Sequence, residues 1–145
     1  MKYLILVSHG KFAEGIKTSL EMFAGDSTKQ CFALCLHNGE SATDFETKVD
    51  RFLQEQQFKK NDEFVILADI IGGSPLTTFL DSFSKKGNLE KAVVLGGMNF
   101  SMALTAIVSL GIMSKEELAK AALSEGEKAI KQYKISQLTD DEDDI

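Results

Sequence analysis

With 145 residues, 43% of them hydrophobic and 26% charged, the chain is one domain's worth of ordinary soluble globular composition. No apolar run approaches the roughly 20 residues that a membrane span needs, and a formal charge of −6 leaves no basic footprint for nucleic acid. Much of that charge sits in the acidic end Asp140-Asp141-Glu142-Asp143-Asp144, so the body of the chain is close to neutral, and its only arginine is Arg51.

The first apolar run, Tyr3–Val7, meets Ser8-His9-Gly10 at once. It reads as a strand and not as a signal peptide, which fits a cytoplasmic protein. Phe12, Ile16, Leu20 and Phe23 then form a helical stripe. The second strand is Cys31–Leu36. Its two cysteines are four residues apart, so along a strand they stand about 13 Å from each other. That is too far for a disulfide, and both read as buried thiols acting as small hydrophobes. His37, before Asn38-Gly39, reads as a turn or rim residue.

Ser41 and Asp44 resemble a capping box ahead of a second stripe, Phe45, Val49, Phe52 and Leu53. A third strand is expected at Phe64–Ala68. After it, Ser74 fits as an N-cap and Pro75 as the first residue of a helix carrying Leu76, Phe79, Leu80 and Phe83. The fourth strand is Ala92–Leu95, and a fourth helix runs from Met102 to Leu110. Ser114 with Glu117 makes a second capping box and starts a fifth helix, which Gly126 is expected to end. Ile130–Ile135 is ambiguous between a short strand and a helical turn. Residues 136–145 are expected to be a disordered acidic tail.

Strands alternating with helical stripes predict an α/β fold, and the near-continuous apolar runs suit strands buried on both faces of a parallel sheet. Ligands of such sheets sit beyond the carboxyl ends of the strands. Three unusual segments fall there: Ser8-His9-Gly10, Asp69-Ile70-Ile71-Gly72-Gly73-Ser74-Pro75, and Gly96-Gly97-Met98-Asn99. A neutral imidazole at His9 is a nucleophile near pH 7. Asp69 could accept its Nδ1–H and leave the Nε2 lone pair free. Gly72 and Gly73 admit an anion close to the backbone, and a helix beginning near Ser74 turns free N–H groups toward it. The pieces suit phosphoryl transfer without a metal. Two histidines and no Cys/His/Asp cluster at ligand spacing predict no metal site and no cofactor.

Those three segments, with Ala13 and Gly15 and the continuation Phe100-Ser101-Met102, together resemble the IIA domain of the mannose/fructose/sorbose family of the phosphoenolpyruvate-dependent sugar phosphotransferase system. The resemblance covers about residues 1–135. It implies a doubly wound, mainly parallel four-stranded sheet with helices on both faces, and a homodimer in which a C-terminal strand pairs antiparallel with the partner's sheet. It implies that His9 is phosphorylated by HPr on Nε2 and passes the group to a IIB component. The IIB would be a separate chain, acting with IIC and IID in the membrane. Asp69 would orient His9, while Gly10, Gly72, Gly73 and Ser74 would line the phosphoryl site. Phe12, Ile71, Met98, Asn99 and Phe100, with Ile70 and Leu76, are candidates for an apolar docking rim. Two departures from the family's pattern, Thr77 for Asn and Ser101 for Pro, lie beside the site.

Other classes fit less well. Histidine phosphatases and phosphomutases resemble one another in an Arg-His-Gly motif and several phosphate-holding arginines, whereas Ser8 precedes His9 here. A receiver-like regulatory domain would want an acidic pair after the first strand. The phosphocarrier subunit of dihydroxyacetone kinase, a related domain, is the nearer alternative. Which sugar is transported is not written in a subunit that does not touch it.

Overall fold

The computed structural model describes residues 1–87 and 89–137. Four strands, β1 (Lys2–His9), β2 (Cys31–Leu36), β3 (Glu63–Ala68) and β4 (Ala92–Leu95), form one sheet in the order β2-β1-β3-β4. All three pairings are parallel. Five helices surround it: α1 (Phe12–Ala24), α2 (Ala42–Gln56), α3 (Ser74–Ser84), α4 (Phe100–Ser109) and α5 (Lys115–Lys128).

Because successive side chains of a strand alternate between faces, an all-apolar strand needs cover on both. Leu4 and Leu6 of β1, with Val65 and Leu67 of β3, pack under Ile16 and Leu20 of α1, Ala103 and Ile107 of α4 and Leu118 of α5. Ile5 and Val7, with Phe64 and Ile66, face Phe45 and Val49 of α2 and Leu76, Phe79 and Phe83 of α3. Each such aliphatic or aromatic side chain taken fully out of water contributes roughly 1.5–3 kcal/mol. These two layers are the core, and they fix the sheet as the doubly wound α/β arrangement expected.

Local signals set the ends of several elements. Ser41 accepts from Asp44 N at 3.0 Å while Asp44 accepts from Ser41 N at 3.0 Å, a complete capping box. Ser114 and Glu117 form the second box at the start of α5. Both cysteines are free and buried, as read from the sequence.

Three expectations are corrected. Gly126 does not end α5. It lies buried within the helix, where its carbonyl accepts from Asn99 Nδ2 at 3.1 Å and a Cβ would stand 3.2 Å from Met102 Cβ. The glycine sits against the first turn of α4. Ser74 is not an N-cap: Gly73 holds that place, and Ser74 is the first helical residue. In α1 the buried side is Ala13, Ile16 and Leu20, while Phe12 and Phe23 stay exposed. The stretch left open between strand and helical turn has no regular secondary structure over residues 130–134 and a 3-10 turn at Ile135–Gln137 in the single chain. The expected acidic tail falls on residues 136–145, of which 138–145 lie outside the described residues.

Candidate functional site

The strand order dictates where a site can form. The chain leaves β1 through α1 to reach β2 on one side, then returns through α2 on the opposite face to β3 on the other side. It thus leaves β1 toward α1 on one face and β3 toward α3 on the other, so the two exits part at the carboxyl ends of these neighbouring strands and leave a crevice there. His9 is the last residue of β1, and Asp69 is the first residue after β3. Asp69 N donates to Val7 O at 3.2 Å, which holds the two strand ends together.

The Asp69 carboxylate accepts three hydrogen bonds. Its Oδ2 takes the His9 backbone N–H at 3.0 Å and meets His9 Nδ1 at 2.8 Å, and its Oδ1 takes the Ile70 N–H at 2.9 Å. A carboxylate can only accept, so the short contact is an Nδ1–H donor and leaves the lone pair on Nε2. Partial burial pushes the Asp69 carboxyl up. The bonds from His9 and Ile70 outweigh that and hold it below the usual aspartate value. The His9 side chain remains 45% exposed and that of Asp69 19%. The imidazole ring therefore reaches solvent while its carboxylate partner is mostly covered.

Glycines shape the surroundings. Gly10 (φ 58) and Gly72 (φ 85) adopt backbone conformations that side chains with a Cβ rarely take. At Gly73 space is the constraint: a Cβ would stand 2.8 Å from His9 Cε1 and 3.0 Å from Ile70 Cγ1. Gly73 thus brings the N-terminus of α3 against the imidazole, and the first N–H groups of a helix have no acceptor within it. Ser74 is exposed beside them, and Thr77 N donates to Gly73 O at 3.1 Å to begin the helical ladder.

Not every candidate reaches the surface. Phe12, Ile70 and Ile71 are exposed by 46%, 53% and 75%. Leu76 and Met98 are buried in the two cores and offer a partner nothing. Asn99 is occupied as the N-cap of α4, accepting from Met102 N at 2.9 Å. Phe100 is half-buried against Phe23, with ring centres 5.4 Å apart. Ser101 follows in the first turn of α4.

Two features escaped the sequence reading. Ser8 is fully buried and its Oγ accepts from Ala13 N at 2.8 Å, so it ties the start of α1 to the end of β1. A serine in the last residues of an otherwise apolar strand that leads into a helix is the signal that could have marked it. His37 is also not a bare rim residue: its Nε2 lies 2.7 Å from Glu14 Oε1. It shares with His9 a cavity of about 300 Å³ whose walls include Leu36, Asn38 and Glu40.

The family model for PTS system fructose IIA components, EIIA-man, matches residues 3–123. The chain belongs to this family. Solved structures agree. It is 28% identical to the phosphotransferase system component EIIA from Streptococcus agalactiae, with a TM-score of 0.72 over 91% of this chain and 97% of that one. The mannose/sorbose-specific IIA subunit from Enterococcus faecalis is 26% identical, with a TM-score of 0.75 over 93% and 97%. The IIA protein associated with the fucose utilization operon of Streptococcus pneumoniae is 25% identical, with a TM-score of 0.71 over 95% and 96%. Membership makes this EIIA-man chain a phosphotransfer component of a sugar phosphotransferase system. Among the described residues no helix is long and apolar enough to cross a membrane.

Proposed function

We propose that the chain is a phosphohistidine carrier, in which His9 Nε2 takes a phosphoryl group from HPr and delivers it to a IIB component. The observation that carries this reading is the 2.8 Å contact between His9 Nδ1 and Asp69, which leaves Nε2 as the reactive nitrogen on the open side of the ring. In the accepting step the Nε2 lone pair forms the new N–P bond as the donor's bond to phosphorus breaks. The ring gains positive charge as this happens, and the Asp69 carboxylate stabilises it. The delivering step runs the same exchange toward IIB.

Gly10, Gly72, Gly73 and Ser74 line the place the phosphoryl oxygens would occupy, and the dipole of α3 favours their negative charge. The arrangement supplies position and fixed partial charge, which is most of what phosphoryl transfer asks of a protein. It contains no arginine fork that would grip the phosphate and oppose its release. Phe12, Ile70 and Ile71 form an exposed apolar rim suited to two partners that dock in turn. Sugar would meet the phosphoryl group only at IIB, with IIC and IID in the membrane. The working unit we propose is a homodimer, supported by the 78% exposure of Ile130 and Ile135 on a C-terminal segment that has no strand partner within the described chain.

Incubation with phosphoenolpyruvate, enzyme I and HPr should add a single acid-labile phosphoryl group, read by intact mass, that His9→Ala abolishes. A wild-type chain that stays unmodified where a known IIA is phosphorylated would overturn the proposal and bring the dihydroxyacetone-kinase carrier forward.

A further inference from the structure

Beside the crevice, and independent of His9, three side chains of different chemistry converge. Cys35 lies on β2, and His37 follows two residues later, so strand alternation places both on the same face. That face meets the first turn of α1, which presents Glu14. One ligand atom from each, a carboxylate oxygen, the Cys35 Sγ and a His37 nitrogen, lies within 4.8 Å of the other two. The sequence reading saw a hydrophobic cysteine and a rim histidine, and had no reason to join them to Glu14.

We propose that Glu14, Cys35 and His37 form a binding site for a transition-metal dication of the zinc class. Bonds of about 2.0–2.3 Å to nitrogen, oxygen and sulfur in a tetrahedral site set ligand atoms roughly 3.3–3.7 Å apart. The widest pair need close by only about an ångström, while His37 Nε2 and Glu14 Oε1, now hydrogen-bonded at 2.7 Å, open by up to about the same amount. The side chains that must move are the mobile ones: His37 is 39% exposed and Glu14 45%, whereas Cys35 is held in the core. Of the three, His37 also lines the cavity that it shares with His9.

The surrounding charges favour the same ion. Lys48 Nζ bonds Glu40 at 2.9 Å and the Cys35 carbonyl at 2.7 Å, so Lys48 and Glu40 neutralise each other. What remains is the Glu14 carboxylate and a Cys35 thiolate, a net charge of two against a dication. On binding, the thiol proton leaves to solvent and an S–metal bond takes its place. Glu40 also lies 3.5 Å from His37 Nδ1 and accepts the His37 backbone N–H at 2.6 Å, where it can orient the ring once Nε2 is a ligand. Ser8 Oγ, 3.7 Å from the sulfur, lies within reach of the thiolate. A thiolate and an imidazole select zinc, cobalt or copper over magnesium and calcium, which prefer oxygen alone.

The test uses the full, untagged chain and the metal alone. Zn²⁺ titrated against a chromophoric chelator should bind one equivalent, and Co²⁺ should give a thiolate-to-metal charge-transfer absorption. Cys35→Ser should remove that absorption and weaken binding at least tenfold. His37→Gln should weaken it about tenfold while the absorption persists at saturating Co²⁺. His9→Ala should change neither. If the buried Cys35→Ser variant does not fold, His37→Gln and Glu14→Gln decide, since both positions are partly exposed. Absence of stoichiometric binding, binding unaltered in all the site variants, or binding lost in His9→Ala would overturn the site.

Discussion

At the amino edge of the sheet the Met1 ammonium meets Asp62 at 3.0 Å, and Lys115 bonds Glu63 at 3.0 Å. Behind them Tyr3, Phe58 and Phe64 pack ring against ring, with Phe58 edge-on to Phe64 at 4.9 Å. At the carboxyl edge the same strands end in His9 and Asp69, with one ring half in solvent and glycines where side chains would otherwise fill. One edge saturates its polar groups and packs its apolar ones. The other leaves an imidazole nitrogen and a helix N-terminus unspent. Stability and chemistry are thus separated along the strand axis, and substitutions at the two edges should fail in different ways.

The largest expected effect is at the carboxyl edge. Asp69→Asn replaces an acceptor of three N–H groups with a side chain that has one accepting oxygen and one NH2. With its oxygen toward His9 the amide sets its NH2 against the Ile70 N–H; turned the other way, it faces both His9 donors and the Nδ1–H is no longer selected. Phosphoryl uptake should fall by roughly 100- to 10,000-fold while the melting temperature changes little. A variant that unfolds instead would break the separation.

Phe64→Ala makes the reverse case. It removes a fully buried ring that touches Phe58 and Phe83. The loss should be about 3–5 kcal/mol in denaturant unfolding. The phosphoryl uptake rate per folded molecule should stay near that of wild type. A matching loss of rate would show that the two edges are coupled through β3.

The smallest effect sharpens the comparison by pH. Burial raises the Asp62 carboxyl, but the Lys59 N–H at 2.7 Å and the Met1 ammonium outweigh it, and the group is held below the ordinary aspartate value. A depressed carboxyl contributes stability that is fully present above the unfolded value near 4 and is lost as pH falls through the lower folded value. Asp62→Asn should therefore be less stable than wild type by about 1–3 kcal/mol at neutral pH. The two should converge in acid. A constant difference down to the lowest pH would assign the loss to packing and not to charge.

Much of the fold was legible because parallel strands buried on both faces spell out unbroken apolar runs. β2 and β4 fall where those runs fall. The capping boxes at Ser41 and Ser114 were legible because each is a contact between residues three apart. What periodicity could not give is how far a neighbouring element reaches. Met98 and Asn99 follow a strand tip, as a docking residue would, yet α4 and α5 close over one and employ the other as a cap. Gly126 carries the composition of a helix stop, but the approach of α4 makes its lack of a side chain a packing feature. His9 and Asp69 were found because each sits at a strand end, and strand ends are counted from the sequence. Glu14 and His37, 23 residues apart across an α–β crossover, meet only once the sheet order is known.

A last consequence follows from Asp69 Oδ2 receiving both the backbone and the ring donors of His9. A residue tied twice to one atom cannot swing toward one visitor and then toward another. For a carrier of the kind proposed, donor and acceptor must come to the same fixed address, and neither can be present while the other is served. Traffic through the protein would then be a queue: an excess of unphosphorylated acceptor should slow loading, and an excess of spent donor should slow delivery.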